Sequence, residues 1–136
     1  MEDSFLVRLA TGDDLLDAIT REFAKRNIRK AGFKLIGAVT NAVLGCYDPE
    51  NRKYLNKEFR GFFEIVSCGG NVSEKDGEVF VHTHIALAGE DYSCFGGHLM
   101  PGTKIYVAEL EGYLIPGSPP GRVLDPSLGL ALWPVE

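Results

Sequence analysis

The sequence predicts an α+β fold: a single compact domain in which one helix packs on a mostly antiparallel sheet. Only one stretch has helical periodicity, with Leu15, Ile19 and Phe23 recurring every fourth residue. The remainder is a series of short apolar or alternating runs separated by Gly, Pro, Asn and Asp, which is strand-and-turn chemistry. No internal repeat or linker divides the 136 residues, and a chain of this length buries roughly 68% of its unfolded surface. Residues 1–136 therefore read as one domain, with a core over about 4–115 and a tail over 116–136.

Ser4 to Ala10 alternates, with Phe5, Val7 and Leu9 on one side, and predicts a first strand. Thr11-Gly12-Asp13-Asp14 has the composition of a helix start, with Thr11 and Asp14 at capping-box spacing. The helix that follows is expected to run about fifteen residues, with Asp13, Asp14 and Asp17 at its positive end and Lys25 and Arg26 at its negative end. Phe33 to Val39 and Ala42 to Tyr47 read as two strands, and Asp48-Pro49-Glu50-Asn51 as a turn. Tyr54 to Phe59 reads as a short edge strand, and Phe62 to Ser67 as a strand ended by Gly69-Gly70. Asp76-Gly77 is a hairpin turn leading into Glu78 to Ala88. Phe95-Gly96-Gly97-His98 reads as a turn in a Gly-Pro-rich connection over 96–102, followed by a strand from Lys104 to Ile115. Pro116 to Gly121 cannot continue a sheet, while the apolar run Leu128 to Trp133 is suited to docking on the core or on a second subunit.

Composition removes several function classes. The net charge of −5 argues against bulk attraction to nucleic acid, although residues 21–60 hold ten Lys/Arg against four acids, a local +6. Either a basic surface or a solvated helix end and loop accounts for that segment. No apolar run approaches the ~18 residues of a membrane span, and Met1-Glu2-Asp3-Ser4 is acidic where a secretory leader is basic, so a cytoplasmic location is expected. Cys46, Cys68 and Cys94 form no C-x-x-C pair and read as free, mostly buried thiols, with Cys94 near the histidines as the alternative. Serine-hydrolase and nucleotide-binding fingerprints are absent.

All three histidines fall within seventeen residues, as His82-Thr83-His84 and His98. In a strand, residues i and i+2 share a face about 6.6 Å apart, so two imidazoles can lean toward one ion with bonds of about 2 Å. Val79, Val81, Thr83, Ile85 and Leu87 make a core-like face, which leaves Phe80, His82, His84, Ala86 and Ala88 on the other. Imidazoles among apolar neighbours lack hydrogen-bond partners, and a metal bond would supply one. Gly96-Gly97 permits close approach of His98 to the other two. Three nitrogens with an open position suit a divalent transition metal, zinc first. An H-x-H pair on its own is a weak signal that first suits an ordinary core or surface pair; His98, the one other histidine, behind Gly96-Gly97, is what strengthens the metal reading.

The runs Phe63-Glu64-Ile65-Val66-Ser67-Cys68-Gly69-Gly70, His82-Thr83-His84-Ile85-Ala86-Leu87 and Phe95-Gly96-Gly97-His98-Leu99, in this order, resemble the plants-and-prokaryotes-conserved (PPC) domain family. Glu109 in Tyr106-Val107-Ala108-Glu109-Leu110 fits the later A-E strand of that family. The resemblance covers roughly residues 4–115 and implies an antiparallel α/β domain, assembly as a homotrimer, and clustering of the three histidines as a metal site. Plant members carry AT-hook segments that bind A·T-rich DNA. This chain has no R-G-R-P core and looks like the stand-alone prokaryotic form, and Phe62 stands where the plant motif has arginine.

Three functions are consistent with these features. The first is a zinc-binding regulatory or DNA-associated module. The second is a metal-dependent enzyme acting on a small molecule through a metal-bound water, with Glu64 or Glu109 moving protons; each carboxylate equally suits an ion pair or a subunit contact. The third is a trimer in which the metal is only a staple. Asn71 and Thr103 are lesser pocket candidates.

Overall fold

A computed structural model describes residues 2–136. Met1, part of the acidic N-terminus weighed above, lies outside the described residues. The elements run β1 (Ser4–Leu9), α1 (Leu15–Lys25), β2 (Ala31–Asp48), β3 (Lys53–Lys75), β4 (Glu78–Ala88), β5 (Cys94–Leu99), β6 (Lys104–Leu114), β7 (Gly121–Asp125) and β8 (Leu130–Leu132). Their order across the sheet is β1-β6-β2-β5-β4-β3-β7-β8. Because β2 also pairs with β3, the path β2-β5-β4-β3 returns to β2 and closes a barrel-like ring. All pairings are antiparallel except β3 with β7.

The helix contributes Leu15, Ala18, Ile19 and Phe23 to the core, as the four-residue spacing requires. Phe23 packs edge-on to Phe5 at 5.4 Å and against Phe33 at 5.7 Å. Its length is 11 residues, shorter than expected. Asp14, rather than Thr11, is the N-cap: its Oδ1 accepts from the Asp17 amide, while Oδ2 accepts from the Gly102 amide and ties the β5–β6 connection to the helix start. Thr11 donates instead to the Tyr106 carbonyl. At the other end Asn27, at φ 55, turns the chain out of the helix.

Two expected strand breaks are continuous in the structure. The segments 33–39 and 42–47 are one strand, β2, with register shifts between Leu35 and Gly37 and between Val39 and Asn41. Similarly, 54–59 and 62–67 belong to β3, which continues through Gly69-Gly70. A bulge inserts a residue without ending the ladder, so an interrupted pattern still forms one strand. Asp48 makes the expected turn by accepting from the amides of Glu50 and Asn51. Asp76 and Gly77, both at positive φ, make the β3–β4 hairpin.

Most of the basic segment is neutralised rather than displayed. Arg21 pairs with Asp13 and Asp17, Lys25 and Arg26 with Glu22, Arg29 with Glu74, Lys34 with Glu111, and Arg60 with Glu58. Among the described residues, no helix is long and apolar enough to cross a membrane. The cysteines are free, but only Cys68 is buried; Cys46 and Cys94 are exposed, against expectation.

Candidate metal centre

Strand β4 has the two faces that its alternation predicts. Val81, Thr83, Ile85 and Leu87 are buried, while His82 is half-buried and His84 exposed. Beside it, Phe95-Gly96-Gly97-His98 is part of strand β5 and not a turn, with His98 directly opposite His84. The glycines serve close approach. A Cβ at Gly96 would lie 2.3 Å from the Ile85 carbonyl oxygen, and one at Gly70 would lie 2.0 Å from that of His82. Both neighbours can thus lie tight against β4, and His98 comes level with the H-x-H pair.

The three rings form a triangle, with centroids 5.2 Å apart for His82–His84, 5.2 Å for His82–His98 and 5.5 Å for His84–His98. One nitrogen from each can be chosen so that all lie within 4.8 Å of one another. Tetrahedral bonds of about 2.0–2.1 Å would place ligand atoms about 3.4 Å apart, a spacing the three rings would reach by closing in from at most 4.8 Å. His98 Nδ1 is buried and has no hydrogen-bond partner among the described residues. Burial, then its neighbouring imidazoles and Arg122, pushes the His98 imidazole down to about 4. The His82 imidazole is lowered by burial first, then by Arg122 and His84. Both are therefore neutral near pH 7, the form in which imidazole binds a metal. The residues present fit a divalent ion.

Other side chains line this face. Tyr54 stacks on His98 at 4.7 Å. Asn71, opposite His82 on β3, accepts from Arg122 Nη2 at 3.2 Å. Sequence reasoning missed Arg122 and Tyr54. Arg122 arrives with the tail, because β7 pairs beside β3 and Trp133 donates to Ser73 Oγ at 3.1 Å. The apolar end of the tail does dock, and that was the available signal. Thr103, by contrast, is fully buried and accepts from the Val43 amide, which is a framework role away from the histidines.

The two glutamates lie elsewhere in the chain. Glu64 is exposed and sits opposite Ala88, four residues along β4 from His84, or about 13 Å at strand rise. It lines a shallow cleft with Phe62 and Tyr92, while Arg60, four residues earlier on β3, is paired with Glu58. Glu109 is exposed on β6 opposite Ile36, while His98 sits opposite Gly45, nine residues further along β2, or about 30 Å. Cys94 lies at the far end of β5 from His98, with its thiol donating to the Tyr92 carbonyl.

A mostly antiparallel α+β barrel with three imidazoles converging on one strand pair defines the class of protein. Residues 1–112 match the Plants and Prokaryotes Conserved (PCC) domain, and the chain belongs to that family. It is 38% identical to a metal-containing protein from Archaeoglobus fulgidus, with a TM-score of 0.92 over 98% of this chain and 94% of that one. A plant- and prokaryote-conserved (PPC) protein from Pyrococcus horikoshii is 35% identical, with a TM-score of 0.93 over 98% and 92% of the two chains. A candidate DNA-binding protein from Bacteroides thetaiotaomicron is 25% identical, with a TM-score of 0.91 over 98% and 93%. Over 102 residues the chain is also 36% identical to the bifunctional protein GlmU of Synechococcus sp. (strain JA-3-3Ab), a match covering 74% of this chain but only 15% of GlmU.

Proposed function

We propose that this chain is a metal-binding module that holds one divalent transition ion, zinc first, through His82, His84 and His98. The observation that carries the reading is the buried, unpartnered Nδ1 of His98 beside two more imidazoles. A buried polar nitrogen without a partner costs about 1–3 kcal/mol, and a metal bond offsets that cost. An all-imidazole donor set suits zinc, copper, iron or nickel rather than magnesium or calcium, and the similar Archaeoglobus protein is described as metal-containing. Elemental analysis of tag-free protein tests it. One ion per chain is expected in the native protein and none in the triple variant His82→Ala/His84→Ala/His98→Ala; a metal-free native protein would overturn it.

A homotrimeric regulatory or DNA-associated role is the context we assign to that module. Exposed Leu6, Ile36, Phe62, Val66 and Tyr106 give the outer sheet surface apolar area suited to self-association. Light scattering should report three chains per particle, and a monomer mass would exclude the trimer. The Bacteroides neighbour supports DNA association, whereas the paired cations of residues 21–60 weaken it. Anisotropy with an A·T-rich duplex at about 50 mM salt should show binding that falls with added salt; no binding there excludes DNA and leaves the metal reading standing.

The enzyme reading draws on the coordination position that three protein ligands leave open. In that case any help from Glu64 or Glu109 comes from a neighbouring copy, given their distance from the histidines within one chain. A Glu64→Gln or Glu109→Gln variant of the metal-loaded protein with unchanged turnover would remove that role.

A further inference from the structure

Arg122 is the one arginine taken almost wholly out of water, at 9% exposure. Its guanidinium carbon lies over two rings, 5.0 Å from the centroid of Phe80 and 4.8 Å from that of Trp133. In its plane it donates to Ser73 Oγ, the Ala131 carbonyl and Asn71 Oδ1, all neutral acceptors. A guanidinium has five N–H groups, so two are left over. Arg21, Arg26, Arg29 and Arg60 each have a carboxylate; among the described residues Arg8, Arg52 and Arg122 have none, and of these three Arg122 alone is out of water. A buried cation held by neutral groups alone is costly, and such a site favours an anion.

That cation and the three imidazoles share one wall. Asn71 bonds Arg122 from the position opposite His82, and the Tyr54 ring covers His98. The charged neighbours that act on His82 and His98 are Arg122 and the other histidines, with no acid among them. A divalent ion on three imidazole nitrogens would add two positive charges beside Arg122, with no acid among the charged neighbours of His82 and His98 to balance them.

We infer that the histidine centre takes a small oxyanion, a carboxylate or phosphate group, held between the open position of the metal and the guanidinium of Arg122. The inference rests on the metal reading above and names the ligand class of that site. The guanidinium fork matches both oxyanions, whereas a neutral amide or alcohol leaves its charge unbalanced. Trp133 and the β7–β8 tail act as positioning elements, since they hold Arg122 over β4.

Cobalt(II) loading gives a visible spectrum that reports the ligands of the ion without any assay of activity. The loaded native chain should show a saturable spectral change with acetate or inorganic phosphate and none with acetamide, and the tighter of the two anions distinguishes a carboxylate from a phosphate ligand. Arg122→Met should weaken anion binding by about ten- to hundred-fold while retaining cobalt, with Arg122→Lys restoring part of the affinity. Cobalt uptake with a spectrum unmoved by either anion would overturn the inference and leave the metal reading intact. So would acetate and acetamide acting equally on the native chain, a comparison that needs no variant to fold. Failure to take up cobalt would sink both.

Discussion

The two faces of β4 take polar groups out of water on different terms. On the inner face Thr83, 2% exposed, donates to the Gly69 carbonyl at 2.8 Å and contacts the Cys68 thiol at 3.4 Å. Nothing is left over, and the hydroxyl is part of the core. Across the outer face, His98 keeps a buried nitrogen without a partner and Arg122 keeps a buried charge without a counter-ion. Satisfied polar groups hold a fold together. Unsatisfied ones, gathered on one patch, mark where something else binds.

Truncating the inner face should cost stability and leave the metal alone. Leu87→Ala, at a fully buried position, is expected to lose about 2–5 kcal/mol in denaturant unfolding with metal stoichiometry unchanged. A comparable loss from His84→Ala in the metal-free protein would erase the contrast between the faces. That histidine is exposed, so its removal should change metal-free stability by only about 0.5 kcal/mol. Competition titration should nevertheless show metal affinity falling by about a hundred-fold or more, since even an outer partner of a ligand is worth about 10–100-fold. Thr83→Val should cost about 1–3 kcal/mol, because the Gly69 carbonyl loses its side-chain donor, with no change in metal uptake. The smallest effect concerns reactivity. Burial pushes the Cys68 thiol up to about 11, so it stays protonated at neutral pH. Alkylation of the folded chain should label Cys46 and Cys94 and spare Cys68 until denaturant is added.

Some of this was legible in the residues and some was not. The helix face, the extent of β4, the Asp48 and Asp76-Gly77 turns and the placing of His82 and His84 on one face follow from local spacing. The long strands β2 and β3 were not legible, because glycines and bulges interrupt their patterns while partners on both sides keep the ladder intact. Gly96-Gly97 had the composition of a turn and became strand because close neighbours leave no room for a Cβ at Gly96. Capping also passed from Thr11 to Asp14, whose second oxygen is claimed by Gly102 of the β5–β6 connection, far away in sequence.

From sequence alone came the fold class, the chemistry of three imidazoles, and the two-residue period that sets His82 beside His84, since side-chain alternation is a property of each strand's own backbone. Tertiary structure decided that His98 lies in register with His84 and that Arg122 crosses from the tail to the same wall. Those neighbours depend on ladder register and on docking of distant segments, and both are set by the packing of the whole barrel rather than by any local run of residues.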